Sequence, residues 1–287
     1  MEFANPEALV DCAWLRDHLD APDVRIVDAT FHLPHDDRDA REEYGFRHIP
    51  GAVHFDIDEI ADTDTDLPHM LPSPEKFSAK VRKLGLGDGN KIVVYDGSGG
   101  FMAACRVWWM FRVFGHEDVC VLDGGLPQWG KERGPLEQDA PPAITERHFT
   151  ARMNNTLVRT LDQMLANVER KKTQVIDARN EKRFAGIDHE PRPTERRGHI
   201  PGSINLPFTR LMDPRQNFTF RSADEIKAAC DEIGLDLGKP IVSTCGSGVT
   251  AAVNAFALYL LGHDQVAVYD GSWAEWGNLP DTPIANP

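Results

Sequence analysis

IVSTCGSGVTAAV, residues 241–253, runs from a short β-branched apolar segment through a glycine-rich turn into an alanine-rich segment, with Cys245 at the turn. That order reads as a strand, a tight loop and the start of a helix. The chain also carries a near copy, since PIVSTCGSGV (240–249) matches KIVVYDGSGG (91–100) with Asp96 in the place of the thiol.

Three further blocks recur in the same order and at a nearly constant offset. VRIVDAT (24–30) matches TQVIDAR (173–179), and RHIPGAVHF (47–55) matches GHIPGSINL (198–206). FGHEDVCVLDGGLPQWG (114–130) matches LGHDQVAVYDGSWAEWG (261–277). Four ordered repeats mean a duplicated domain. The spacing predicts a first domain over 1–135 and a second over 156–287. Between them, 136–155 is polar, lacks periodicity and holds Pro141 and Pro142, as expected of a linker.

Within each half, short apolar runs bounded by turn residues alternate with helix-period segments. RIVDA, KIVVYD and VCVLDG, with their counterparts QVIDA, PIVSTC and VAVYDG, predict buried parallel strands. ACRVWWMFRVFG and TAAVNAFALYLLG predict helices stopped by Gly115 and Gly262. The expected class is therefore α/β, two tandem domains, each a mainly parallel sheet flanked by helices. Trp108, Trp109, Trp273 and Trp276 belong to the core on this reading. His48 and His199 recur in both halves although only one half has a thiol, so they read as turn and packing residues.

The bulk numbers limit the function. A formal net charge of −14 over 287 residues disfavours nucleic acid and anionic membranes, which attract basic surface. The acidic first twenty residues fit neither a signal nor a transit peptide, and AAVNAFALYLLG is too short to span a bilayer, so a cytoplasmic protein is expected. Five cysteines without a CxxC pair suggest neither a disulfide framework nor a metal site. Cys12, Cys105, Cys120 and Cys230 read as small buried hydrophobes.

Cys245 is different because of where it sits. Chemistry in open α/β sheets collects beyond the carboxyl ends of the strands, where loops enter helices. Gly246 and Gly248 allow successive amides to turn inward as an anion nest, a setting that favours a thiolate nucleophile. A phosphatase loop would place an arginine six residues after the thiol to grip phosphate. Ala251 stands there instead.

The tandem halves, the repeated HIPG blocks and the CGSGVT loop together resemble the rhodanese superfamily of two-domain sulfurtransferases. Within it, the loop is similar to that of the members acting on 3-mercaptopyruvate. The resemblance implies a persulfide-forming Cys245 and a first domain, with Asp96, that carries no sulfur. It implies that Gly246, Gly248, Val249 and Thr250 bind substrate through the loop, and that Arg183 and Arg192, on the loop before the second HIPG block, grip the carboxylate and ketone. It implies a Ser247, His69 and Asp58 arrangement across the two domains. The implied substrate is 3-mercaptopyruvate, and the implied acceptor is a thiol such as thioredoxin, or cyanide in assay. No metal or organic cofactor is implied. Arg196 and Arg197 are expected to face solvent. A thiosulfate:cyanide sulfurtransferase and a non-catalytic tandem binding module are the competing readings.

Overall fold

In the computed structural model, residues 1–33, 35–98, 102–138 and 144–286 are described. Gly99, Gly100 and Phe101 of the first repeat loop, and the linker residues 139–143 with Pro141 and Pro142, lie outside them. The first half holds β1 (Leu9–Val10), β2 (Val24–Asp28), β3 (Val53–His54), β4 (Lys91–Tyr95) and β5 (Val119–Leu122). They form one parallel sheet in the order β1-β5-β4-β2-β3.

The second half repeats it with β6 (Val158–Arg159), β7 (Gln174–Asp177) and β8 (Ile204–Asn205). An antiparallel pair follows, β9 (Met212–Asp213) with β10 (Thr219–Phe220), before β11 (Ile241–Thr244) and β12 (Ala267–Tyr269). Here the order is β6-β12-β11-β7-β8, again parallel. The three central strands of each sheet are the six predicted from apolar runs. The outer strands are two residues long, too short to leave a pattern in the sequence.

Central strands are buried on both faces because helices cover both, so their side chains read as continuous apolar runs. The helices Met102–Val113 and Ala251–Leu260 meet across the junction of the halves, with Trp108 edge-on to Phe256 at 4.7 Å. One apolar core thereby runs through both halves, with a smaller cluster behind each sheet. Trp108, Trp109, Trp273 and Trp276 are all buried, as expected.

The HIPG blocks serve packing. His48 stacks on Tyr44 at 4.2 Å and His199 on Phe184 at 3.8 Å, and each histidine Nδ1 faces the backbone carbonyl of the residue whose ring it stacks on. The motif's glycines, Gly51 and Gly202, turn the chain at φ of 73° and 80°, where a side chain would be strained. The segment that follows residue 143 lies on the first half, with Phe149 buried against Phe77 and Thr150 bonded to Asp88. Among the described residues no helix is long and apolar enough to cross a membrane.

Arg196 departs from the sequence reading. It is half-buried and donates to the carbonyls of Trp276, Pro280 and Thr282, so it ties the C-terminal segment down instead of facing solvent. Arg197 is exposed as expected.

Candidate active site

β11 ends at Thr244, and Cys245 follows at the carboxyl edge of the sheet, 2% exposed. Its backbone is fixed from below. The Cys245 N–H donates to Ser272 Oγ (3.2 Å), the Trp273 N–H to the Cys245 carbonyl (3.0 Å) and the Ala274 N–H to the Gly246 carbonyl (2.8 Å). Ser272, fully buried at φ 49°, completes this support by donating to the Tyr269 carbonyl at 2.7 Å. Sequence reasoning missed it, since a serine in YDGSW carries no mark of a buried role.

The amides of Gly246, Ser247, Gly248, Val249 and Thr250 have no hydrogen-bond acceptor among the described residues. Five consecutive unused donors before the helix Ala251–Leu260 make the loop electropositive, through the N–H groups and the helix dipole together. Only Gly248 of the two loop glycines has a positive φ, +77°, and a Cβ there would lie 2.8 Å from the Asp270 carbonyl oxygen. Gly246 is needed for space, because a Cβ would approach Arg183 Nη2 to 2.6 Å.

Above the loop is a cavity of about 220 Å³. Cys245, Gly246, Ser247, Val249 and Thr250 line it from below, Arg183 and Arg192 from the side, and Phe31 of the first half closes part of the wall. Arg183 lies on the short helix Glu181–Phe184 and not on a loop as expected, positioned by the Asn180 cap. Its guanidinium is occupied. Both Nε and Nη2 donate to Glu190 Oε2, a carboxylate 5% exposed that also pairs with Arg179 at 2.7 Å. Arg179 is itself held by Asp177 and lies over the Trp273 ring at 4.5 Å. Glu190 and Arg179 were not found from sequence; only the mixture of charges in RFAGIDHEPR pointed to them.

Arg192 is the contrast. It makes no hydrogen bond or ion pair among the described residues, and burial presses its pKa down while Asp58 opposes that. The cavity thus offers one uncommitted guanidinium, carried by Arg192.

His69 and Asp58 come together as expected, with His69 Nδ1 2.8 Å from Asp58 Oδ1. His69 is buried and Asp58 exposed. Burial lowers the His69 pKa against the pull of Asp58, so the ring is neutral near pH 7, while the contact with His69 lowers the Asp58 pKa. No hydrogen bond joins His69 to Ser247 among the described residues. His69 does not line the cavity; it stands edge-on to Phe31 at 5.0 Å, one ring behind the wall. The other cysteines are not competitors. Burial pushes Cys12 and Cys120 up to about 12, Cys230 up to about 11 and Cys105 well above its ordinary value.

A family profile described as Rhodanese-like domain matches residues 11–132 and 160–279. The chain is 43% identical over 298 residues to thiosulfate/3-mercaptopyruvate sulfurtransferase 1, mitochondrial, of Arabidopsis thaliana, covering 97% of this chain and 78% of the relative. It is 43% identical over 283 residues to the 3-mercaptopyruvate sulfurtransferase of Homo sapiens, covering 96% and 94%. Among solved structures, a 3-mercaptopyruvate sulfotransferase of Escherichia coli superposes with a TM-score of 0.84 at 39% identity, covering 93% of this chain and 98% of the other.

Proposed function

The chain belongs to the rhodanese family, and from that premise we propose that it is a 3-mercaptopyruvate sulfurtransferase working through a Cys245 persulfide. The catalytic half is 156–287, and 1–135 is its companion, joined by 136–155. One observation carries the choice of donor. Among the described residues the cavity presents one uncommitted guanidinium, Arg192, and the thiol loop carries no basic side chain. A monocarboxylate fits one free cation, whereas thiosulfate, a dianion, asks for more positive charge.

Arg192 takes the substrate carboxylate. Arg183, already neutralised by Glu190, contributes a directed N–H toward the ketone. The Cys245 thiolate attacks the substrate sulfur, the C–S bond breaks with its electron pair going to carbon, and pyruvate leaves as its enolate. The new S–S bond leaves a persulfide whose negative form is held by the amides of Gly246 to Thr250. The proton carried in on the substrate thiol leaves the outer sulfur of the persulfide and goes to the enolate carbon, with Ser247 in the cavity as its relay and neutral His69, its tautomer fixed by Asp58, as the base behind it. An acceptor thiol then attacks the outer sulfur, regenerating Cys245. We extend the reading to a thiol acceptor such as thioredoxin and to a cytoplasmic setting, the latter on the acidic first twenty residues.

The test is pyruvate release from 3-mercaptopyruvate, with thiocyanate formation from thiosulfate measured beside it, on the wild type and on Cys245→Ser. The reading expects mercaptopyruvate to be preferred and all transfer to vanish in the variant. A preference for thiosulfate overturns the donor assignment, and residual transfer in Cys245→Ser overturns the nucleophile.

A further inference from the structure

The helix Met102–Val113 of the first half carries one fully buried cation, Arg106, inside an otherwise apolar stretch. Counting back from the matching glycines Gly115 and Gly262, the second half has Val253 at this place, also fully buried. Packing between the two helices therefore does not require a charge. A buried guanidinium is costly to desolvate, so what it touches decides its role.

Its contacts converge on the site from both halves. Nη1 lies 2.7 Å from Asp270 Oδ1 and donates to the Gly248 carbonyl at 3.3 Å. Nη2 donates to the His69 carbonyl. The plane lies over the Trp109 ring at 4.5 Å. Asp270 extends the bracket, accepting the Leu71 N–H at 2.7 Å through its other oxygen. His69 stands at φ 61°, a conformation that a non-glycine residue keeps only where the surroundings impose it, and Gly248 takes the left-handed turn at +77° without a side chain to strain.

A peptide unit is planar, with its C=O and N–H pointing opposite ways. Pinning the Gly248 carbonyl on Arg106 therefore turns the Val249 N–H away from the guanidinium, on the side where Val249 lines the cavity. We propose that Arg106 is a positioning residue: one guanidinium, supplied by the half that lacks the thiol, sets both the Gly248–Val249 peptide of the thiol loop and the left-handed turn that presents His69. The first half then does more than complete the core. This rests on the sulfurtransferase reading of the same site.

Arg106→Lys keeps the charge but loses the fork, and Asp270→Asn removes the countercharge while keeping an acceptor for Leu71. Arg112→Lys is the control, since Arg112 lies in the same helix and crosses to the second half over the Tyr259 ring at 4.0 Å without touching the site. Expected for Arg106→Lys is a loss of kcat of about 10²-fold, the size seen when one directed donor is lost, with KM changed less than about threefold because Arg192 is untouched. Amide hydrogen exchange should quicken together in 67–72 and 246–253 and nowhere else. Arg112→Lys should leave both readouts unchanged, and Asp270→Asn should reproduce the Arg106→Lys exchange pattern even if Arg106→Lys does not fold. Wild-type kcat in Arg106→Lys, exchange confined to one segment, or an equal loss in Arg112→Lys overturns the bracket. If the wild type does not turn over 3-mercaptopyruvate, the functional reading falls, and the exchange data still decide the bracket.

Discussion

The two copies of the strand-to-helix loop share their scaffold and differ in what their donors face. The Leu126 N–H donates to the Asp96 carbonyl at 3.1 Å just as the Trp273 N–H donates to that of Cys245 at 3.0 Å. In the first half, the Asp96 carboxylate accepts the N–H and hydroxyl of Ser98 at 3.2 and 2.8 Å and the Ala104 N–H at 3.2 Å. In the second, the donors from Gly246 to Thr250 have no acceptor among the described residues. At the thiol position the companion half supplies its own carboxylate to the donors it meets, and the catalytic half leaves its loop donors open for an anion that arrives. Unused buried donors cost stability, which is the usual condition of a binding site.

The comparison breaks most visibly at the thiol. Cys245→Asp should turn the second loop into a copy of the first, with sulfur transfer falling by at least about 10⁴-fold while the fold survives with stability within about 1 kcal/mol of wild type. Assay and thermal melts read both. A variant that fails to fold would show that the two nests are not equivalent. Next in size is the arginine pair. Arg192→Ala should lower kcat/KM for mercaptopyruvate by roughly 10²-fold, as expected for a lost charge-assisted bond, and Arg183→Ala by only about tenfold, because Glu190 keeps Arg179 and already neutralises Arg183. Steady-state kinetics of the two variants side by side would overturn the neutralisation argument if the order were reversed.

The last difference lies in the aspartates that close each half onto the other, and it touches stability and not the reaction. Asp123 accepts the Phe220 N–H at 2.9 Å as Asp270 accepts that of Leu71 at 2.7 Å, but among the described residues only Asp270 has an arginine paired with it. Burial pushes Asp123 up to about 6 from 3.8. The folded state thus holds this proton more tightly than the unfolded one. Stability is favoured at low pH and lost as pH rises from 3.8 through about 6. Asp123→Asn, which keeps the acceptor, should gain up to about 3 kcal/mol at pH 8, several degrees in Tm, and nothing at pH 3.5. An equal gain at both pH values would remove the titration as its cause.

How far the sequence carried this is clear from particular residues. The six central strands were legible because burial on both faces leaves unbroken apolar runs, and the duplication was legible because four blocks recur in order. The outer strands were not, since two residues have no period. Cys245 and the cavity arginines could be named from spacing and resemblance. The pairing of Arg183 with Glu190 could not, because seven residues of irregular chain give no geometry. Arg196 was misread as solvent-facing for the same reason: its partners lie about eighty positions away, in the C-terminal segment. Arg106 did leave a signal, a charge within an apolar helix, which demands a buried partner.

The central claim, that sulfur passes through Cys245 alone, is tested most directly by mass spectrometry after a single turnover. Protein mixed with one equivalent of 3-mercaptopyruvate and no acceptor would be digested without reductant and its cysteine peptides weighed. The account predicts one added sulfur atom on the peptide bearing Cys245 and none in Cys245→Ser. Sulfur on the peptides of Cys12, Cys105, Cys120 or Cys230, or pyruvate released with no sulfur retained, would contradict it.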